Sequence, residues 1–318
     1  MKIITVIGAG QLGSRHLQGL KRSNLSLNIW VVDTNELSLE IARKRYNELP
    51  DDSTKQVFYV QSIEELPSSI DVAIISTSSQ PRAAILNDLL LRCQVSKVIL
   101  EKFLFPKLSD YEIVENLLVQ KRVAAWVNCP RRIRYCYQQI KTKIDANDRI
   151  EMSFRGKNWG ICCNSIHFID LFMFLTQEKT YEIDLSGLLP KILKSKRSGY
   201  IELCGELKVI TPQGHILCLS STEDFVGEHE YLLLSNGSTS FCIDEVNGLW
   251  GENGDMKSMN VVYQSETTGK IVDQIIESDS CGLPTYDESA VYHKLFLSEI
   301  MKFVNQLQGW ESDSCPIT

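Results

Sequence analysis

The apolar run at residues 3–7 leads without a break into Gly8-Ala9-Gly10-Gln11-Leu12-Gly13, and an amphipathic stretch opens within that turn. No other feature of the chain restricts its fold so tightly. A Gly-x-Gly-x-x-Gly turn joining a buried strand to a helix is the first turn of a Rossmann unit. Its first glycine makes the tight turn, its second lets the backbone approach a pyrophosphate, and its third lets helix and strand pack closely, while N–H groups at the helix start face the phosphate charge. Gly8, Gly10, Gln11, Leu12 and Gly13 are accordingly candidates to hold a dinucleotide. Asp33 follows Gly13 by 20 residues, at the end of the next apolar run, where a carboxylate accepts hydrogen bonds from the adenosine ribose and repels a 2′-phosphate. The expected cofactor is therefore NAD in preference to NADP, with Arg43, Lys44 and Arg45 on the next helix as the groups that could reach a phosphate.

The surrounding pattern extends this unit. Apolar runs at 27–32, 57–60, 72–76, 97–100 and 124–128 alternate with helical stretches at 12–21, 36–49, 63–66, 82–93 and 109–120, the last with Ser109 as its expected N-cap. Runs that are apolar without alternation predict strands covered on both faces, and their succession with helices predicts a parallel sheet. Beyond Pro130 the texture changes. One helical stretch at 165–175 precedes alternating strands at 200–211, 214–221, 230–235 and 239–244, with Gly214 and Asn236-Gly237 as turn residues, and a final helix at 287–308 follows Pro284. The expected fold is α/β: an N-terminal Rossmann dinucleotide-binding domain at 1–126, then a C-terminal α+β domain at 127–318 with an open, mostly antiparallel sheet.

Two domains also suit the length, since 318 residues exceed the usual size of one core. A formal charge of -7 argues against a nucleic-acid or anionic-membrane partner and leaves a small molecule as the expected one. The N-terminus reaches glycine too soon for a signal peptide, and the apolar stretch at 166–175 is interrupted by His167 and Asp170 and too short to span a bilayer. Ten cysteines are scattered without a CxxC pair, which fits reduced thiols in the cytoplasm. No metal site is expected, because Cys162, Cys163 and His167 lack the spacing of a tetrahedral ligand set.

Four segments carry a resemblance over essentially the full length: GAGQLGSRHLQGL at 8–20, DVAIISTSS at 71–79, ILEK at 99–102 and NSIHFID at 164–170. In order and spacing they resemble the glucose-fructose oxidoreductase, inositol dehydrogenase and rhizopine-catabolism family (Gfo/Idh/MocA). The resemblance implies hydride transfer between NAD(P) and a carbon of a sugar derivative, with a second domain that binds substrate and pairs copies into a homodimer or homotetramer. It implies that Ser76, Thr77, Ser78 and Glu101 line the cofactor, that Lys102 sits between nicotinamide and substrate, and that His167 carries the proton. A cation at Lys102 would stabilise negative charge developing on the substrate oxygen, and an imidazole suits proton removal from a hydroxyl. Asp170 shares a helical face with His167 and is the candidate to orient it.

Further substrate-side candidates are Asn128 at the end of the last parallel strand, Arg131 and Arg132 for an acidic or nucleotide-linked sugar, Trp159 for stacking, and Asn164. Two positions depart from the family. Phe103 replaces the proline that follows the family's Glu-Lys pair, which removes a backbone restriction. Cys163 stands where polyol-oxidising members often carry an aspartate, four residues before the histidine. These departures define the alternative expectation, a non-catalytic NAD-binding sensor or regulatory subunit of the same fold; a reductase of an imine or unsaturated ring is a third.

Overall fold

The computed structural model describes residues 1–145, 147–227, 230–309 and 311–318, which form two compact units. The first comprises residues 1–105, 109–128 and 262–286. Its strands are β1 (Lys2–Ile7), β2 (Leu27–Val32), β3 (Lys55–Val60), β4 (Ser69–Ile75), β5 (Gln94–Leu100) and β6 (Ala124–Val127), and its crossover helices are α1 (Gln11–Leu20), α2 (Glu36–Asn47), α3 (Ser79–Arg92) and α4 (Leu108–Lys121). All strands are parallel, in the order β3-β2-β1-β4-β5-β6. Ile4, Val6, Ile29, Val31, Val72, Ile74 and Val98 are wholly buried, as expected for strands covered on both faces. This is the doubly wound order in which ligands bind at the carboxyl ends of the strands, where the order reverses between β1 and β4. Helix α4 begins at Leu108, so Ser109 lies inside its first turn and is not the N-cap.

The second unit comprises residues 106–108, 129–261 and 287–318. After α5 (Tyr135–Lys141) come β7 (Glu151–Lys157), α6 (Ile161–Thr176), β8 (Glu182–Asp184), β9 (Leu193–Lys194), β10 (Ile201–Glu202), β11 (Gly205–Ile210), β12 (Ile216–Thr222), β13 (Leu232–Ser235), β14 (Ser240–Asp244), β15 (Leu249–Glu252) and β16 (Asp255–Ser258). The main sheet has eight strands in the order β16-β15-β14-β13-β7-β12-β11-β8, antiparallel except for the β7–β12 pair. One face buries Met152, Leu207, Leu217, Leu219, Leu232, Phe241 and Ile243, and from it Phe154 stacks on Phe168 of α6 at 4.5 Å. The opposite face presents Cys218, Ser153, Leu233, Cys242 and Gly251, brought side by side by the strand register.

The single strand expected at 200–211 is two. Gly205 has a φ of +114°, which breaks the extended chain; β10 pairs with β9 in a separate ribbon and β11 joins the main sheet. The sequence pattern also passed over α7 (Gln264–Ser278), which precedes α8 (Tyr286–Gln308). Residues 262–286 cluster with the first unit, whereas the pattern grouped them with the second. The reason is a close crossing of α7 on α1: a Cβ at Gly19 would lie 2.7 Å from Cβ of Thr268, and one at Gly269 would lie 2.5 Å from the Gly19 carbonyl oxygen. Asp273 accepts hydrogen bonds from the Ser23 hydroxyl and, at 2.8 Å, from the Asn24 N–H. Among the described residues no helix is long and apolar enough to cross a membrane, and no cluster of three metal-ligating side chains occurs.

Candidate active site

The glycine turn is built as its spacing requires. Gly8 adopts a φ of +94°, and a Cβ there would lie 3.0 Å from the Thr77 nitrogen. A Cβ at Gly13 would lie 1.7 Å from the Gly8 carbonyl oxygen, so α1 could not start so near β1 with any larger residue. Gly10 is different, since its Cβ would meet nothing within 4 Å. The chain itself does not need a glycine there; a ligand approaching the backbone does. Gln11 is exposed and Leu12 half-buried at the start of α1. Asp33 is fixed against the turn, accepting the Ala9 N–H at 2.7 Å and the Asn35 N–H at 2.9 Å. Arg45 is held by Gln11 and Ser14, each at 2.6 Å, and the Arg43 guanidinium lies 4.6 Å from the Tyr59 ring centre, so both are already engaged.

At the end of β4, the Ser76 hydroxyl donates to the Gly8 carbonyl at 2.7 Å, while Oγ1 of Thr77 is buried with no hydrogen-bond partner among the described residues. Ser78 is the residue before α3. The open space over Gly10 and the orphaned Thr77 hydroxyl fit a group bound across this edge, and NAD is the dinucleotide the turn and Asp33 suit.

Lys102 follows β5 at the same edge of the sheet and is half-buried. The chain around it is held from two sides. Ahead of it, Glu101 is 3% exposed, and its Oε1 lies 2.7 Å from His16 Nε2 and accepts the Asn128 amide at 2.5 Å. His16 Nδ1 reaches Thr268 Oγ1 at 3.0 Å, and Asn128 donates to Gln264 at 2.9 Å, so α1, β5, β6 and α7 share one buried polar cluster. After it, the Lys102–Phe103 peptide bond is cis, Phe103 is wholly buried, and Arg82 of α3 donates to the carbonyls of Thr77, Phe103 and Leu104. Glu101 and Asn128 are thus joined to each other inside the unit. His16 has partners far along the chain, and Arg82 grips backbone carbonyls, which carry no sequence signature.

In the second unit α6 runs from Ile161, so His167 lies well inside the helix, half-buried, rather than at its start. No carboxylate precedes it at Cys163, yet one approaches the same turn from β10: Glu202 accepts the Cys162 N–H at 2.8 Å and the Cys163 N–H at 3.3 Å. Gly160, with a φ of +84°, makes room, since its Cβ would lie 3.0 Å from Glu202 Oε1. Nothing in the local sequence marks Glu202 for this contact. Asp170 does not orient His167. Both its oxygens bind Arg132, at 2.6 and 2.9 Å, and Arg132 also meets Glu288 at 3.0 Å. Burial pushes the Asp170 carboxyl up to about 7, against the pull of Arg132.

The arginine cluster is likewise neutralised within the chain. Arg131 forms a forked pair with Glu245, its closest contact at 2.9 Å, and Arg134 and the Tyr137 hydroxyl add contacts at 2.6 and 2.7 Å. Arg131, Trp159 and Asn164 do come together, around a cavity of about 290 Å³ that Phe154, Phe168, Glu230 and Glu245 also line. Trp159 donates its indole N–H to the Ser220 carbonyl at 2.7 Å and packs edge-on against Phe154 and Phe168. Asn164 donates to the Trp159 carbonyl at 2.7 Å. Asn164 and His167 are three residues apart on α6, which makes them surface neighbours on the helix.

A Rossmann sheet with a glycine turn and a carboxylate after its second strand defines an NAD-binding fold. Residues 2–129 match the family described as an oxidoreductase family with an NAD-binding Rossmann fold (GFO_IDH_MocA). No curated protein matches the chain in sequence. Solved structures share its fold over nearly the whole length. A putative myo-inositol dehydrogenase from Sinorhizobium meliloti has a TM-score of 0.70 at 13% identity, covering 96% of this chain and 98% of its own. An Agrobacterium radiobacter oxidoreductase solved with NAD+, L-tartaric acid and magnesium has a TM-score of 0.70 at 12% identity, covering 96% and 97%. The UDP-N-acetylglucosamine 3-dehydrogenase of Acidithiobacillus ferrooxidans has a TM-score of 0.67 at 13% identity, covering 95% and 96%.

Proposed function

We propose that this oxidoreductase moves a hydride between NAD and a hydroxyl-bearing carbon of a sugar-type substrate, or the corresponding carbonyl in reverse. The observation that carries the reading is the placement of Lys102: it stands at the strand edge that also bears the glycine turn and Asp33, on a segment held by Glu101 before it and Arg82 after it. When bound, NAD supplies the nicotinamide carbon that accepts or returns the hydride. Asp33 and the α1 amides bind and orient the dinucleotide. The Lys102 ammonium offsets negative charge gathering on the substrate oxygen, and His167 takes the hydroxyl proton or gives it back. On the second unit, Trp159 and Asn164 line the cavity beside α6 and are the residues that bind the sugar-type ring. The names of the myo-inositol and UDP-N-acetylglucosamine dehydrogenases support a sugar or cyclitol skeleton.

The test is to incubate the protein with NAD and a panel of sugars and cyclitols, and with NADH and the matching keto compounds, while following absorbance of the reduced cofactor. Lys102→Ala and His167→Ala are each expected to lower kcat by about 10²–10⁴-fold with NAD affinity retained. Full turnover in either variant removes its assigned role, and NAD binding without turnover on any sugar supports a sensor in place of an enzyme.

A further inference from the structure

The cavity beside α6 contains two carboxylates in unlike states. Glu245 is surrounded by Arg131, Arg134 and the Tyr137 hydroxyl, so its charge is met inside the chain. The other carboxylate is Glu230. Among the described residues no lysine or arginine lies within ion-pairing distance of it, and its recorded contact is the Lys157 backbone N–H, 2.9 Å from Oε1. Its seat is made by an absent side chain: a Cβ on Gly156 would lie 2.3 Å from Glu230 Oε1 and 2.6 Å from its carboxyl carbon. Backbone therefore fixes this half-buried carboxylate at the cavity wall, while its charge is left to whatever the cavity receives.

The remaining walls complement that charge. Phe154, Trp159 and Phe168 give aromatic surface, and the cationic group already present, Arg131, lies 4.2 Å from the Phe168 ring centre. The arginines that would have favoured an acidic sugar are consumed by Glu245 and Asp170, so the uncompensated charge in the cavity is negative. A volume of about 290 Å³ suits one sugar-sized ring. A carboxylate beside aromatic faces attracts an ammonium group by ion pairing and by the ring quadrupole together.

We propose that Glu230 is a specificity-determining residue and that the ligand is a sugar-sized ring bearing a protonated primary amine, with Glu230 binding the ammonium and Trp159 the ring. The proposal rests on the sugar-type reading for the ring alone and not on any assignment of Lys102 or His167.

The test uses the full chain with NAD present and four probes, D-glucosamine, N-acetyl-D-glucosamine, D-glucose and D-glucuronate, with binding measured by titration calorimetry or ligand-observed NMR. Glucosamine is expected to bind about tenfold more tightly than glucose, with the N-acetyl sugar and glucuronate no better than glucose. Glu230→Gln, nearly isosteric, is expected to erase that preference and leave glucose and NAD affinities unchanged, the latter reporting that the variant is folded. Tighter binding of glucuronate, no preference for glucosamine, or a preference that survives Glu230→Gln each overturns the proposal. Glucosamine preference without turnover would defeat the hydride-transfer reading and leave this one standing, whereas turnover of a neutral sugar unaffected by Glu230→Gln would do the reverse.

Discussion

Glu245 shows how much one residue's behaviour depends on its surroundings. Burial alone would push its carboxyl up, but Arg131 and Arg134, with hydrogen bonds from Arg131 and Tyr137, outweigh burial and hold it at about 2, below an ordinary value of 4.5. A carboxyl whose pKa is lower folded than unfolded adds stability above the unfolded value and loses it as pH falls towards the folded one. The second unit should therefore lose stability between about pH 5 and pH 2, by up to about 3 kcal/mol from this group. Urea unfolding of Glu245→Gln is expected to show a lower midpoint than wild type at pH 7 and a smaller loss on going to pH 3; equal pH slopes would refute the assignment. None of this was legible in sequence. Arg131 and Arg132 read as groups for an acidic sugar because their partners, Glu245 and Asp170, lie far along the chain and carry no local signature. Asp33, by contrast, was legible because its place follows from a spacing set by one strand, one helix and the next strand.

The glycine turn separates two demands that its pattern merges. Gly13 serves the fold, since its Cβ would collide with the Gly8 carbonyl, whereas Gly10 faces open space. Gly13→Ala is expected to destabilise the first unit by roughly 1–3 kcal/mol or prevent its folding, as overpacking does. Gly10→Ala should leave the unfolding midpoint within about 0.5 kcal/mol of wild type, as at an unencumbered site, and weaken NAD binding. Calorimetric titration and denaturant unfolding of both variants check this, and the idea fails if Gly10→Ala unfolds early or binds NAD normally. Elements with a strong period or local chemistry were readable, which is why β1, α1 and β2 fall where the sequence places them. Helix α7 was not, because its first turns are polar and its apolar residues, Ile271, Val272 and Ile275, make sense only against α1. Strand β7 was missed for a related reason: Arg155 and Lys157 conceal a core-facing Met152 and Phe154.

For the whole molecule, the open face of the eight-stranded sheet raises the question of what covers it. One face packs on α6 through Phe154 and Phe168, while the other presents Cys218, Ser153, Leu233, Cys242 and Gly251 in register. Leu233 is 48% exposed at the centre of that row, and a shallow groove of about 490 Å³ runs beneath it. Small and apolar residues without a dominant charge allow two such faces to approach closely, and a twofold pairing would place each Leu233 against the small residues of the other copy. A second copy of this chain is the expected occupant. Light scattering at micromolar concentration should report a dimer or tetramer. Leu233→Lys, which buries a charge against the small residues of the other copy, should shift it to monomer with NAD affinity unchanged, because the substitution leaves the first unit untouched. A monomeric wild type, or a Leu233→Lys variant that remains associated, would show that this face is not where the copies meet.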